Sequence, residues 1–138
     1  MKVDSTSYGA IRPGWDKNDC SIRAMSCATG CSYEQASVLY SAAGRTLKKG
    51  TEVFITAQVC EQWLKMYEVS AGMQLAMFIV MHPKGRFILH VRGHALALVD
   101  GVVHDWKDKT KPSANVVKAW RVTEDTLARL GKLAELFS

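Results

Sequence analysis

Ile22, Met25, Ala28 and Thr29 recur at helical spacing along one side of the chain, with Asn18 and Asp19 before them and Gly30 after. Short polar side chains cap helix starts and glycine supplies a left-handed exit, so a helix is predicted from Asn18 or Asp19 to Thr29. Ser32 and Gln35 have capping-box spacing, and Ala36, Leu39, Ala42 and Ala43 extend a second helix to Gly44. "KKGTEVFITAQVCEQWLKMYE" reads as a third helix capped by Thr51, with Val53, Ile55, Val59 and Trp63 facing inward, against the preference of its β-branched residues. "MQLAMFIVMHP" is so uniformly apolar that period alone does not separate a buried helix from a strand. A helix is expected, ended at His82 by the restriction that Pro83 places on the residue before it.

From Arg86 the pattern changes to apolar and β-branched runs broken by Arg92-Gly93 and Asp100-Gly101. Asp-Gly between such runs is a strong hairpin signal, because a two-residue turn needs positive φ at both positions. That turn pairs Val99 with Val102, Leu98 with Val103, Ala97 with His104 and Leu96 with Asp105. The Arg92-Gly93 turn pairs Val91 with His94 and Leu89 with Leu96. By alternation one face holds Phe87, Leu89, Val91, His94, Leu96, Leu98, Val103 and Asp105, and the other holds His90 and His104. The first face is the more apolar and is expected to form the floor under the helices, which makes His94 the one sheet histidine on that side. "NVVKAWRV" predicts a further strand, and "TEDTLARLGKLAELFS" an amphipathic helix. The expected fold is α+β: one domain over residues 1–138, with N-terminal helices packed on an antiparallel β-sheet and a helix at the C-terminus.

Composition adds limits. With 48% hydrophobic and 22% charged residues the chain reads as globular. No apolar run approaches the ~20 residues of a membrane span, and no secretory leader is evident, so no membrane role and a cytoplasmic location are expected. Cys20, Cys27, Cys31 and Cys60 lack the regular spacing of a disulfide framework or of a zinc site. The net charge of +5 is spread along the chain rather than gathered in a block, a surface that would welcome an acidic partner. Lysines between 107 and 118 near Trp106 and Trp120 could suggest nucleic-acid binding, but tryptophans within apolar stretches are more often core.

The chemistry centres on "NDCSIRA". A helix start favours negative charge, so a thiol there gains from ionising. His94 and Asp105 are diagonal neighbours on one sheet face, with Cα atoms ~7–8 Å apart, within reach of an imidazole–carboxylate bond. Cys20 is therefore the expected nucleophile, His94 its base and Asp105 the group that orients the ring. The backbone N–H of Cys20 and the side-chain amide of Asn18 are the expected oxyanion donors.

"NDCSIRAMSCATG" followed by "PKGRFILHVRGHALALVDGVVHDW" resembles the papain-like cysteine peptidase superfamily in its small bacterial and phage forms, such as the peptidase domains that process bacteriocin leaders. The resemblance covers about residues 14–108, with Cys20 opening the central helix, Gly93-His94 beginning one strand and Asp105 on the next. Gly14 stands where papain-type members carry an oxyanion glutamine, and Arg23 three residues after the cysteine is similar to the ovarian-tumour-type deubiquitinases. The resemblance implies a papain-like thiol hydrolase of amide, peptide or isopeptide bonds, with a protein or peptide substrate, no metal and no cofactor. An inactive papain-like binding or inhibitor module of phage origin, working in the bacterial host cytoplasm, and an acyl transferase of transglutaminase type are the alternatives it leaves open. Neither the oligomeric state nor the substrate's identity is legible.

Overall fold

Two tight turns organise the sheet. The computed structural model describes residues 1–10, 19–45 and 53–136. Strands β3 (Arg86–Val91), β4 (His94–Val99) and β5 (Val102–His104) form a meander in the expected register, with Val91 opposite His94 and Val99 opposite Val102. Asp100 and Gly101 adopt φ of 47° and 81°, as a hairpin turn of this length requires. The Asp100 carboxylate also accepts from the Gly85 N–H at 2.9 Å, tying the turn to the start of β3. At the other turn only Gly93 has positive φ, at 69°.

Three elements flank the meander: β1 (Val3–Asp4), β2 (Lys65–Tyr67) and β6 (Lys118–Arg121). They complete a six-stranded sheet in the order β1-β5-β4-β3-β6-β2. The sheet is mixed rather than antiparallel, because β1 runs parallel to β5 with Val3 opposite Val103. A two-residue strand in the polar entry segment is too short to show a period. β2 is a second correction: the helix expected to continue past Trp63 stops there, and Lys65–Tyr67 pairs antiparallel with β6.

The helices are α1 (Ser5–Ala10), α2 (Cys20–Thr29), α3 (Tyr33–Ala42), α4 (Val53–Trp63), α5 (Leu75–Met81) and α6 (Glu124–Glu135). Gly30 ends α2 at φ 80°, and its N–H bonds to Ser26. α3 opens on the predicted capping box, with Ser32 Oγ accepting from the Gln35 N–H at 3.1 Å and Gln35 Oε1 accepting from the Ser32 N–H at 3.0 Å. Thr51, the expected cap of α4, lies outside the described residues. Among those residues no helix is long and apolar enough to cross a membrane.

The expected floor is reversed. Phe87, Leu89, Val91, Leu96, Leu98 and Val103 pack against Leu75 and Phe78 of α5. The opposite face, with Ile88, Ala95, Ala97 and Trp120, receives α2, α3 and α4. Overall apolarity is a poor guide when both faces of a sheet are covered. Side-chain size is the better one, since Ala95 and Ala97 leave room for Ala24 and Ala28 of α2 to come close. α2 is consequently buried nearly all round, its polar Ser21, Arg23, Ser26 and Thr29 included. Ser26 and Thr29 satisfy their hydroxyls locally, donating to the carbonyls of Cys31 at 2.6 Å and Met25 at 2.7 Å.

Candidate active site

Cys20 is the first residue of α2, so its backbone N–H has no acceptor within the helix. Its thiol is hydrogen-bonded to the His94 ring, to the backbone N–H of Ala95 and to Ser21. Burial raises the acidity constant of such a thiol, but these donors outweigh it and leave Cys20 below the ordinary thiol value. The other cysteines move the opposite way. Burial pushes Cys27 and Cys60 each up to about 12 and raises Cys31 as well.

His94 is the first residue of β4, directly after the Arg92-Gly93 turn. Alternation groups it with Leu96 and Leu98, yet at this margin of the sheet its ring meets the thiol of a helix packed on the other face. Its Nε2 donates to Asp105 Oδ1 at 2.7 Å, which leaves Nδ1 to face Cys20. Burial alone would lower its basicity; the bonds to Asp105 and Cys20 reverse that and raise His94 to about 9. The favoured resting state is therefore a thiolate beside an imidazolium.

Asp105 lies one residue past the end of β5, outside the ladder in which it was expected to face Leu96. It is 1% exposed, and an ion so buried needs partners for both oxygens. Oδ1 takes the His94 ring and the Trp106 backbone N–H at 2.7 Å, and Oδ2 takes the Thr110 hydroxyl at 2.6 Å. Thr110 was not legible as a site residue, because nothing in "KDKT" separates a carboxylate-orienting threonine from a solvated one. Thr110→Val keeps the shape and strands Oδ2, so Cys20 alkylation at pH 6.5 should slow about 3- to 10-fold, in line with a charged hydrogen bond of ~1–2 kcal/mol acting through the ring. Stopped-time labelling read by intact mass checks this.

Beneath the thiol, Arg23 is 2% exposed and donates from Nε to Asp19 Oδ1 at 2.9 Å and from an Nη to the Tyr8 carbonyl at 2.8 Å. Asp19 Oδ2 accepts from the Tyr33 hydroxyl at 2.9 Å, and the guanidinium lies 4.9 Å from the centre of the Trp106 ring. Asp19 thus serves this cluster instead of capping α2 with its side chain. The cluster joins the residue before Cys20 to the residue after Asp105. Asn18, the expected oxyanion side chain, lies outside the described residues, as does Gly14.

A cleft of about 840 Å³ opens beside Cys20 and His94, between the β3–β4 turn and the segment 109–118. His90 lines it too; burial drives its pKa down to about 4, with Lys118 and His94 adding to the effect, so the ring is neutral there. His104 sits elsewhere, opposite Ala97 in the ladder. Among the described residues no three His, Cys, Asp or Glu side chains are placed to share a metal ion. Compared with known proteins, the chain matches no family model, no curated protein and no solved structure.

Proposed function

We propose that this protein is a papain-like thiol hydrolase that opens an amide, peptide or isopeptide bond through a thioester on Cys20. The observation that supports the reading is the continuous chain from the Cys20 thiol through the His94 ring to Asp105, closed by a 2.7 Å bond at Nε2. In the forward step the Cys20 sulfur attacks the carbonyl carbon, and the carbonyl π pair moves to oxygen. The oxyanion collapses as the C–N bond breaks, and the Nδ1 proton of His94 passes to the leaving amine. Neutral His94 then takes a proton from water, whose oxygen attacks the thioester. The acid departs, and the C–S electron pair returns to sulfur as thiolate. Asp105 holds Nε2–H throughout, which fixes the tautomer and steadies the imidazolium. The backbone N–H of Cys20 is the oxyanion donor in this scheme.

Both partners of the resting pair set the pH profile. Falling pH protonates the thiolate, and because Cys20 sits below the ordinary thiol value the acid limb should lie below ~8.5. Rising pH removes the His94 proton that the leaving amine needs, so the alkaline limb should fall near 9. The direct test is labelling at pH 6.5 with iodoacetamide and with a peptidyl vinyl sulfone, located by peptide mass spectrometry. Cys20 should react at least about tenfold faster than Cys27 or Cys60, which are held protonated. Equal labelling of the three cysteines would refute the reading.

A further inference from the structure

The walls of the cleft beside Cys20 are unevenly charged. Arg92 on the β3–β4 turn faces the segment that carries Lys109, Lys111 and Lys118, and all four line the same space as Cys20 and His94. Arg92, Lys109 and Lys111 are exposed and Lys118 is half-buried. No aspartate or glutamate is among the described residues lining the cleft. Asp105, the nearest carboxylate in the site, is buried behind the imidazole with both oxygens bonded, so it offers no negative charge to a ligand. His90 adds a neutral ring and Ser113 and Asn115 add hydrogen-bonding groups, none of which would repel an anion.

We propose that this cleft selects an acidic polypeptide segment, with Asp or Glu side chains flanking the bond presented to Cys20. The inference rests on the thiol-hydrolase reading for what happens at the sulfur, but the charge preference is a property of the walls. Cations on both walls give a ligand running along the cleft a positive neighbour on either side of the reacting carbonyl. A lysine-rich segment in the same place would meet four like charges and no counter-charge. Such complementarity acts chiefly on encounter and on rejection of wrong ligands, so it should weaken as salt rises.

The probes are three N-iodoacetyl tetrapeptide amides carrying two Glu, two Ser or two Lys, each normalised to its rate with N-acetylcysteine, with iodoacetamide as the small neutral reference. In every case the Cys20 thiolate displaces iodide from the methylene carbon, forming one C–S bond and breaking one C–I bond. At 20 mM salt and pH 7 the Glu probe is expected to label Cys20 about tenfold or more faster than the Lys probe, with the Ser probe between them. At 0.5 M salt the ratio should fall towards one. Lys109→Glu/Lys111→Glu should invert the order while leaving the iodoacetamide rate within about twofold; both side chains are exposed, and circular dichroism confirms that the variant is folded. Arg92→Glu, on the opposite wall, should reduce the Glu-to-Lys ratio on its own. If iodoacetamide singles out Cys20 but the three peptides react alike, or the Lys probe leads, the acidic preference is wrong while the thiol chemistry stands. If iodoacetamide fails to single out Cys20, the thiol-hydrolase reading itself fails, whatever the peptide order.

Discussion

His94→Ala should slow iodoacetamide labelling of Cys20 at pH 6.5 by about 10- to 100-fold. The magnitude follows from the thiolate population. A thiol of ordinary pKa ~8.5 is about 1% ionised at that pH, and burial of Cys20 would keep it lower still once the ring is gone. With His94 in place the thiol is shifted down and the ring is raised to about 9, so ionised sulfur persists far below the ordinary range. The full population ratio is not realised as rate, because a more acidic thiolate is a weaker nucleophile. The deficit must therefore depend on pH: largest near 6, shrinking as the variant's own thiol ionises above about 8.5. A deficit that stays constant from pH 6 to 9 would mean that His94 acts by packing alone. His104→Ala is the internal control. It sits opposite Ala97, away from the pair, and should leave the rate unchanged.

How far that pair could be read beforehand depends on which physical signals are local. Asp100-Gly101 announces its own turn, and the turn sets the register of β4 against β5, so the positions of His94 and Asp105 along the sheet follow from two residues. The capping box at Ser32 and the exit at Gly30 are local in the same sense and bound α2 and α3 closely. Sidedness is not local. Which face of β3 and β4 receives α2 depends on the alanines that admit it and on α5 covering the larger side chains, a competition between distant segments. The meeting of Cys20 with His94 survives that reversal because both lie at element ends, where alternation no longer assigns a side. Thr110 and the Trp106 amide escaped notice for a related reason. Their role exists only because Asp105 leaves the ladder and the chain turns back over it. β1 and β2, of two and three residues, are held by their pairing partners and carry no periodic signature of their own.

Arg23→Met should cost the fold about 3–5 kcal/mol, the largest stability effect expected for a single change around the site. Methionine fills much of the aliphatic volume, so the loss is electrostatic rather than a cavity. Three things go at once: the bond to Asp19 at 2.9 Å, the donor to the Tyr8 carbonyl at 2.8 Å and the cation 4.9 Å from the Trp106 ring centre. Asp19, 2% exposed, is then a buried carboxylate facing only the Tyr33 hydroxyl among the partners described for it. A charge stranded in that way is the expensive part, which yields a sharp second expectation. Asp19→Asn/Arg23→Met removes the orphaned charge and should recover at least about half of the lost stability, even though it alters one more residue. Thermal unfolding followed by circular dichroism reads both, with Arg23→Met melting about 10–20 °C lower for a domain of this size. Because the cluster joins Asp19, directly before the nucleophile, to Trp106, directly after the carboxylate, the single variant should also slow Cys20 alkylation at temperatures where it is still folded. A melting point within 2 °C of the parent, or a double variant no more stable than Arg23→Met, would show that the ion pair does not hold the start of α2 against the loop that carries Asp105.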